Sequence, residues 1–293
     1  MHPLASRQID DFAWPDGFAS AAWLCWHVDG DAGVHASGKP VDSNFASFSE
    51  ARYGVTTALP RILELCAEYQ TPASFAFPAF VVEQRPDIVL ACVEDGHEII
   101  HHGYLHEDVS KLTADQEEDI LGRSTEIIEK LTGQRPLGWT APSWGLGLGT
   151  IDLLHRHGFL YDNSLMEHDV PTVFDFPDRA LFELPISTVL DDWQQFGVDL
   201  ANASGGFASV SAAFSLWRDE LLGLAHYGGM FSPTFHPNLV GRPGTLRALA
   251  GLLDETREGH GIWWTNGRAI AEHCRAIHSA ATESADTESG GRS

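Results

Sequence analysis

Cysteine and positive charge are what this chain of 293 residues has least of. Its four cysteines, Cys25, Cys66, Cys92 and Cys274, are widely scattered, and no C-x-x-C pair occurs. A cysteine-held metal is therefore not expected. A chain this long needs no disulfide staples, so buried free thiols are the plain reading. Lys and Arg number 18 against 41 Asp and Glu, a formal net charge of −23. So acidic a surface repels phosphate backbones, which excludes general nucleic-acid binding. Long apolar runs are missing as well. The stretch 19–26 is too short to span a bilayer and has no basic flank. Neither a signal peptide nor a membrane helix is expected, and the cytoplasm is the expected compartment.

What is present is an alternation. Apolar residues make up 43% of the chain and charged residues 20%, an ordinary globular balance. Ala22 to Val28 is a short apolar run that stops at Asp29-Gly30-Asp31 and reads as a buried strand. Thr57 to Tyr69 has helical spacing, Ala73 to Phe77 is strand-like, Pro86 to Val93 helical and His97 to His101 strand-like. Thr113 to Leu131 is a helix with Glu117 and Glu118 early and Lys130 late, the order a helix dipole favours. Thr150 to His157, Leu246 to Arg257 and Asn266 to Arg275 are further helices. Leu137–Trp139, Phe159–Tyr161, Leu181–Leu184, Met230–Phe235 and Ile262–Thr265 are further strands. Strand–helix repetition predicts an α/β fold with a parallel sheet, closed or nearly closed into a barrel. Residues 1–275 are read as one domain. Residues 276–293, rich in Ser, Ala, Gly and acid, are read as a disordered tail.

Fifteen histidines stand out, because imidazole serves both metal ligation and proton transfer near neutrality. Three polar clusters each follow a strand: Asp29-Gly30-Asp31, His102 to His106, and Thr234-Phe235-His236-Pro237. In a parallel barrel such strand ends converge on one face. His102 and His106 have H-x-x-x-H spacing, and one helical turn would bring both rings to one side. With one carboxylate they would make a two-histidine, one-acid metal site open to water. The competing reading is two satisfied histidines, since a pair at this spacing also arises by chance and His97 and His101 share it. Asp-Gly-Asp is likewise ordinary turn chemistry. Most tryptophans are read as core, with Trp144 and Trp193 as candidate pocket walls.

The order of these clusters is informative. His102 to His106 is followed by Glu107-Asp108, then Thr132-Gly133-Gln134-Arg135-Pro136, then Gly138-Trp139-Thr140-Ala141-Pro142-Ser143-Trp144. Glu183-Leu184-Pro185, Asp191-Asp192-Trp193 and His236-Pro237 come later. This succession resembles the polysaccharide deacetylase superfamily, the NodB-like carbohydrate esterases. It is most similar to the branch with peptidoglycan-deacetylase-like proteins, cyclic imide hydrolases and metal-independent allantoinases. The resemblance implies a distorted, incomplete (β/α) barrel of about seven parallel strands.

Residue by residue, the resemblance makes Asp29 the catalytic base and Asp31 the metal-binding acid, with His102 and His106 the metal histidines and His236 the general acid. A register shifted by two would instead make Asp29 the ligand and His27 the base. Asp192 and Trp193 match a pocket-shaping segment, and Thr140 falls at the substrate side, where relatives carry an arginine that tunes the base. The implied cofactor is one divalent ion, zinc first, with manganese, cobalt or nickel as alternatives. The expected function is hydrolysis of a non-peptide C–N bond in a small amide, cyclic imide or ureide. An intracellular N-acetyl-sugar deacetylase is the alternative, and a non-catalytic binding protein on a decayed barrel is a further one, for which Thr140 would speak. A small molecule is the expected partner, nucleic acid and membrane are not, and a homodimer or homotetramer stays open.

Overall fold

The computed structural model describes residues 5–36, 45–199, 204–206 and 208–290. Its centre is the strand Ser20–His27, buried along its whole length. Such a strand must be apolar on both faces, which is why its sequence shows no polar alternation. The faces still differ. Ala22, Leu24 and Trp26 pack in the cluster shared with the outer helices, while Ala21, Trp23 and Cys25 pack in a second cluster with Ala76, Ile100 and Tyr161. Strand periodicity then turns His27 to the same side as Trp23 and Cys25, the barrel interior.

The central strand pairs in parallel with Ala73–Phe77 on one side. The parallel series continues through Glu98–His101, Gly138–Trp139, Tyr161–Asp162 and Leu181–Glu183. On the other side it pairs in parallel with Met230–Phe231 and Thr234–Phe235, while Ile262–Thr265 pairs in parallel with its first half, Ser20–Trp23, on the side opposite Met230–Phe231. The run expected as one strand over Met230–Phe235 is split, because Pro233 has no N–H to give a ladder. The barrel does not close. Beyond Leu181–Glu183 the sheet ends in the antiparallel pieces Thr172–Phe174 and Arg7–Gln8, and an isolated bridge from Asp191 to Thr234 spans the remaining gap. This is the distorted, incomplete barrel that the alternation and the resemblance predict.

The long helix Ala114–Thr132 begins with a reciprocal cap between Thr113 and Gln116 and ends at left-handed Gly133. An 18-residue helix, Val210–Tyr227, was not anticipated, although Ala213, Phe214, Trp217 and Leu221 bury at helical spacing. The C-terminal helix runs Gly267–Gly290, so the segment expected to be a disordered tail is helical to Gly290. Ile277 packs on the interior cluster and His278 lies 3.4 Å from Asp175, contacts that hold the start of this extension. Alanines at 276, 280 and 281 favour its continuation. Among the described residues, no helix is long and apolar enough to cross a membrane.

Candidate active site

The interior layer level with the end of the central strand is His27, Ala76 and Ile100. Just beyond it the chain turns at Gly30, whose φ of +53° suits a residue without a side chain. That turn leaves Asp29 at the rim and sends Asp31 to the start of a short helix, Ala32–Ala36. Asp29 is the hub of the site. Its Oδ1 lies 3.5 Å from His102 Nε2, and its Oδ2 lies 3.6 Å from His106 Nε2 and 3.5 Å from His236 Nε2. Burial alone would raise the Asp29 pKa, but His106, His236, His102 and His27 outweigh it and hold the carboxyl well below its usual range. Asp31 has His35 Nε2 3.6 Å from its Oδ2. Among the described residues, neither Asp31 nor Asp29 forms with both His102 and His106 a group whose ligand atoms all lie within 4.8 Å of one another. The described groups whose ligand atoms lie within 4.8 Å of one another are His27–Asp29–His102 and Asp191–Asp192–His236.

His102 is fully buried, and its Nδ1 lies 2.7 Å from the Thr140 carbonyl oxygen. A carbonyl only accepts, so Nδ1 carries the proton and Nε2 presents its lone pair to the site. Burial pushes the His102 pKa down to about 4 against the pull of Asp29, so the ring is neutral and available as a ligand. Thr140 itself has no free surface, and its hydroxyl donates to Asn163 O at 2.8 Å. The substrate-side role expected for it is replaced by a positioning one. Its backbone orients His102, and its side chain is spent on the neighbouring strand.

His106 does not arrive by a helical turn. Residues 102–108 bend without helix, with Gly103 at φ +74° and His106 at φ +62°. The carboxylate of Glu107 holds the bend by accepting the N–H groups of Tyr104 at 3.0 Å and Leu105 at 2.9 Å. A left-handed non-glycine residue at a ligand position is strain of the kind that collects at functional sites. Ser143 and Trp144 share it, at φ +52° and +54°.

The late-strand histidine is set by a buried acid. His236 Nδ1 lies 2.6 Å from Asp192 Oδ1, and the His236 N–H donates to Asp192 Oδ2 at 2.7 Å. Burial alone would lower the His236 pKa, but the charge and hydrogen bond of Asp192, with Asp29 and Asp191 adding, hold it at about 9. Burial pushes Asp192 up to about 6 while His236 pulls it down. Between those two values the pair is imidazolium and carboxylate, with Nε2–H turned toward Asp29. Asp192 is fully buried and so positions His236 instead of touching a ligand. Trp193 is 45% exposed with its ring 5.9 Å from that of His236. Trp144 is half-buried at its strained turn.

The donor set suits a divalent ion. Asp29 Oδ1 is buried with no hydrogen-bond partner, and the His102 lone pair faces it. Imidazole and carboxylate together favour zinc, cobalt or nickel over magnesium.

Residues 47–161 match the polysaccharide deacetylase family. The chain is 30% identical over 251 residues to the peptidoglycan deacetylase of Helicobacter pylori, covering 76% of this chain and 86% of that protein. It is 29% identical over 290 residues to the peptidoglycan deacetylase-like protein FGM2 of Gibberella zeae, covering 87% and 83%. Among solved structures, a Mycobacterium smegmatis protein described as a candidate polysaccharide deacetylase superposes with a TM-score of 0.88 at 34% identity, over 93% and 96% of the two chains. The Puue allantoinase superposes with a TM-score of 0.80 at 26% identity, over 90% and 93%. Barrel, histidine-ringed carboxylate and relatives together define a hydrolase of carbon–nitrogen bonds other than peptide bonds. The chain belongs to the polysaccharide deacetylase family.

Proposed function

We propose that the chain removes the acetyl group from an N-acetylated amino sugar of the peptidoglycan type. This puts the sugar deacetylase ahead of the small amide, imide or ureide expected from sequence. The support is that the Helicobacter pylori and Gibberella zeae relatives match over most of their length. The observation that carries the hydrolytic reading is the Asp29 carboxylate held within 3.6 Å of three imidazole nitrogens.

In this reading Asp29, His102 and His106 would hold one divalent ion, zinc first. When bound, such an ion acidifies water and polarises the substrate carbonyl. A carboxylate kept ionised by surrounding histidines is a good ligand and a weak base. Asp29 would then be a ligand and Asp31 the acid left to take a proton, the reverse of the roles the resemblance assigns. His236, protonated and anchored by Asp192, gives its Nε2 proton to the leaving nitrogen. Trp193 covers one side of the sugar.

The roles of the two acids are tested by bound-metal analysis. Asp29→Asn should lose the ion, while Asp31→Asn keeps it and loses rate. The opposite result returns both acids to the family assignment. The substrate is tested by incubation with peptidoglycan fragments, chitooligosaccharides and succinimide-like rings, following acetate release and ring opening. Ring opening without acetate release would favour the small-substrate reading, which the superposition on an allantoinase supports.

A further inference from the structure

We propose that His27 is an inner ligand of the same ion, so that three imidazoles and one carboxylate surround it. This rests on the metal-centre reading above. His27 is 3% exposed, and its Nδ1 lies 3.3 Å from His102 Nε2, with the two rings nearly perpendicular at 89°. The hydrogen-bond arithmetic is restrictive. His102 spends its only proton on the Thr140 carbonyl, so its Nε2 offers a lone pair.

A neutral His27 also has one proton. If it sits on Nδ1, it donates to His102 Nε2 and occupies the lone pair that the ion needs. If it sits on Nε2, three electron-rich atoms face each other within 4.8 Å: His27 Nδ1, His102 Nε2 and an Asp29 oxygen. Only a cation among them makes that arrangement favourable.

The spacing of His27, His102 and Asp29 is that of three sites of a coordination shell, which His106, 3.6 Å from the other Asp29 oxygen, would complete by a small approach. Two nitrogens each about 2.1 Å from one tetrahedral ion lie about 3.4 Å apart. The observed separations are 3.3 Å for His27 to His102 and 3.5 Å for His102 to Asp29. His27 Nε2 is buried with no partner, so Nδ1, facing His102, is the only ring nitrogen with a polar neighbour. Ala76, beside His27 in the sheet register, is small and leaves the ring room. In the metal-free protein the Nδ1 proton would bridge to His102, and metal entry would move it to Nε2. A nitrogen-rich shell of this kind selects zinc, cobalt, nickel or copper over magnesium and calcium.

The test counts nitrogens. The protein is stripped with a chelator and loaded with Cu(II), and the nitrogen hyperfine pattern is read by electron paramagnetic resonance. Three imidazoles in the wild type are expected and two overturn the proposal. In parallel, zinc affinity is measured by chelator competition for the wild type, His27→Phe, His27→Gln and His106→Ala, with circular dichroism confirming the fold. Both His27 variants should bind about 10–100-fold more weakly. Unchanged affinity and spectrum in a folded His27 variant, with affinity lost in His106→Ala, sinks the His27 assignment alone. A wild type that takes up no ion sinks the metal-centre reading with it.

Discussion

Glu98 and Asp29 are both acids inside one barrel, and the protein treats them in opposite ways. Glu98 sits one interior layer below the histidines, level with Ser74 in the sheet register. It accepts from Ser74 Oγ at 2.6 Å, Tyr161 OH at 2.9 Å and the Arg268 N–H at 2.9 Å. Gly138 belongs to this design, because a Cβ there would collide with the Tyr161 ring. Asp29 has an oxygen that no donor reaches and three imidazole nitrogens at distances too long for hydrogen bonds. A buried acid with its donors satisfied holds the fold together. One left unsatisfied among ligand atoms is held ready for something that is not protein.

Substitutions should separate the two acids. Asp29→Asn should lower kcat/KM by about 1000-fold or more, while its melting temperature stays level or rises, since strained sites trade stability for function. A stable variant with near-normal rate would erase the contrast. Glu98→Ala should do the reverse. It orphans three buried donors and should cost about 3 kcal/mol or more in urea unfolding, with kcat/KM of the folded enzyme changed by less than about threefold.

A smaller effect concerns the acid that supports His236. Imidazolium is the proton-donating form, so the wild-type rate should fall as pH rises past about 9. It should also fall below about 6, where Asp192 takes up a proton. Asp192→Asn removes the charge that raises His236, leaving burial to lower it. The alkaline limb should therefore move to lower pH, and an unmoved limb would detach His236 from Asp192. The smallest effect is expected at Thr140→Val, which keeps the carbonyl that orients His102 and deletes the hydroxyl bonded to Asn163. A loss of about 1 kcal/mol in stability with an almost unchanged rate is expected. A large loss of rate would return Thr140 to the substrate side.

The parts legible from sequence were those set by periodicity. The apolar run ending at Val28, the strand before His102 and the capped helix after Thr113 all appear where the pattern places them. The site was legible as a set of positions and less so as a set of roles. Strand alternation assigns His27 to the interior, but it stops where Gly30 turns left-handed, so it cannot say which of Asp29 and Asp31 faces the histidines. H-x-x-x-H spacing is the same in a helix and in a bend. Gly103 and the Glu107 carboxylate decide for the bend, and reading that required knowing which N–H groups lacked partners. The side chain of Thr140 points away for a similar reason, since its acceptor belongs to Asn163, just past the next strand.

The central strand has a consequence for how the chain becomes an enzyme. Ser20–His27 is made early, yet its partners include Ile262–Thr265 from near the other end, with Ser20 beside Ile262. Pairings so distant in sequence are slow to form, because a long loop must close before any contact rewards it. During synthesis the strand that carries His27 waits with one apolar edge unpartnered, a state open to misassociation. His236 follows another late partner, Thr234–Phe235. His27, Asp29 and His236 are thus brought into line by the last folding events, and a nascent or truncated chain would carry the Asp29 and His102 cluster without His236 beside it.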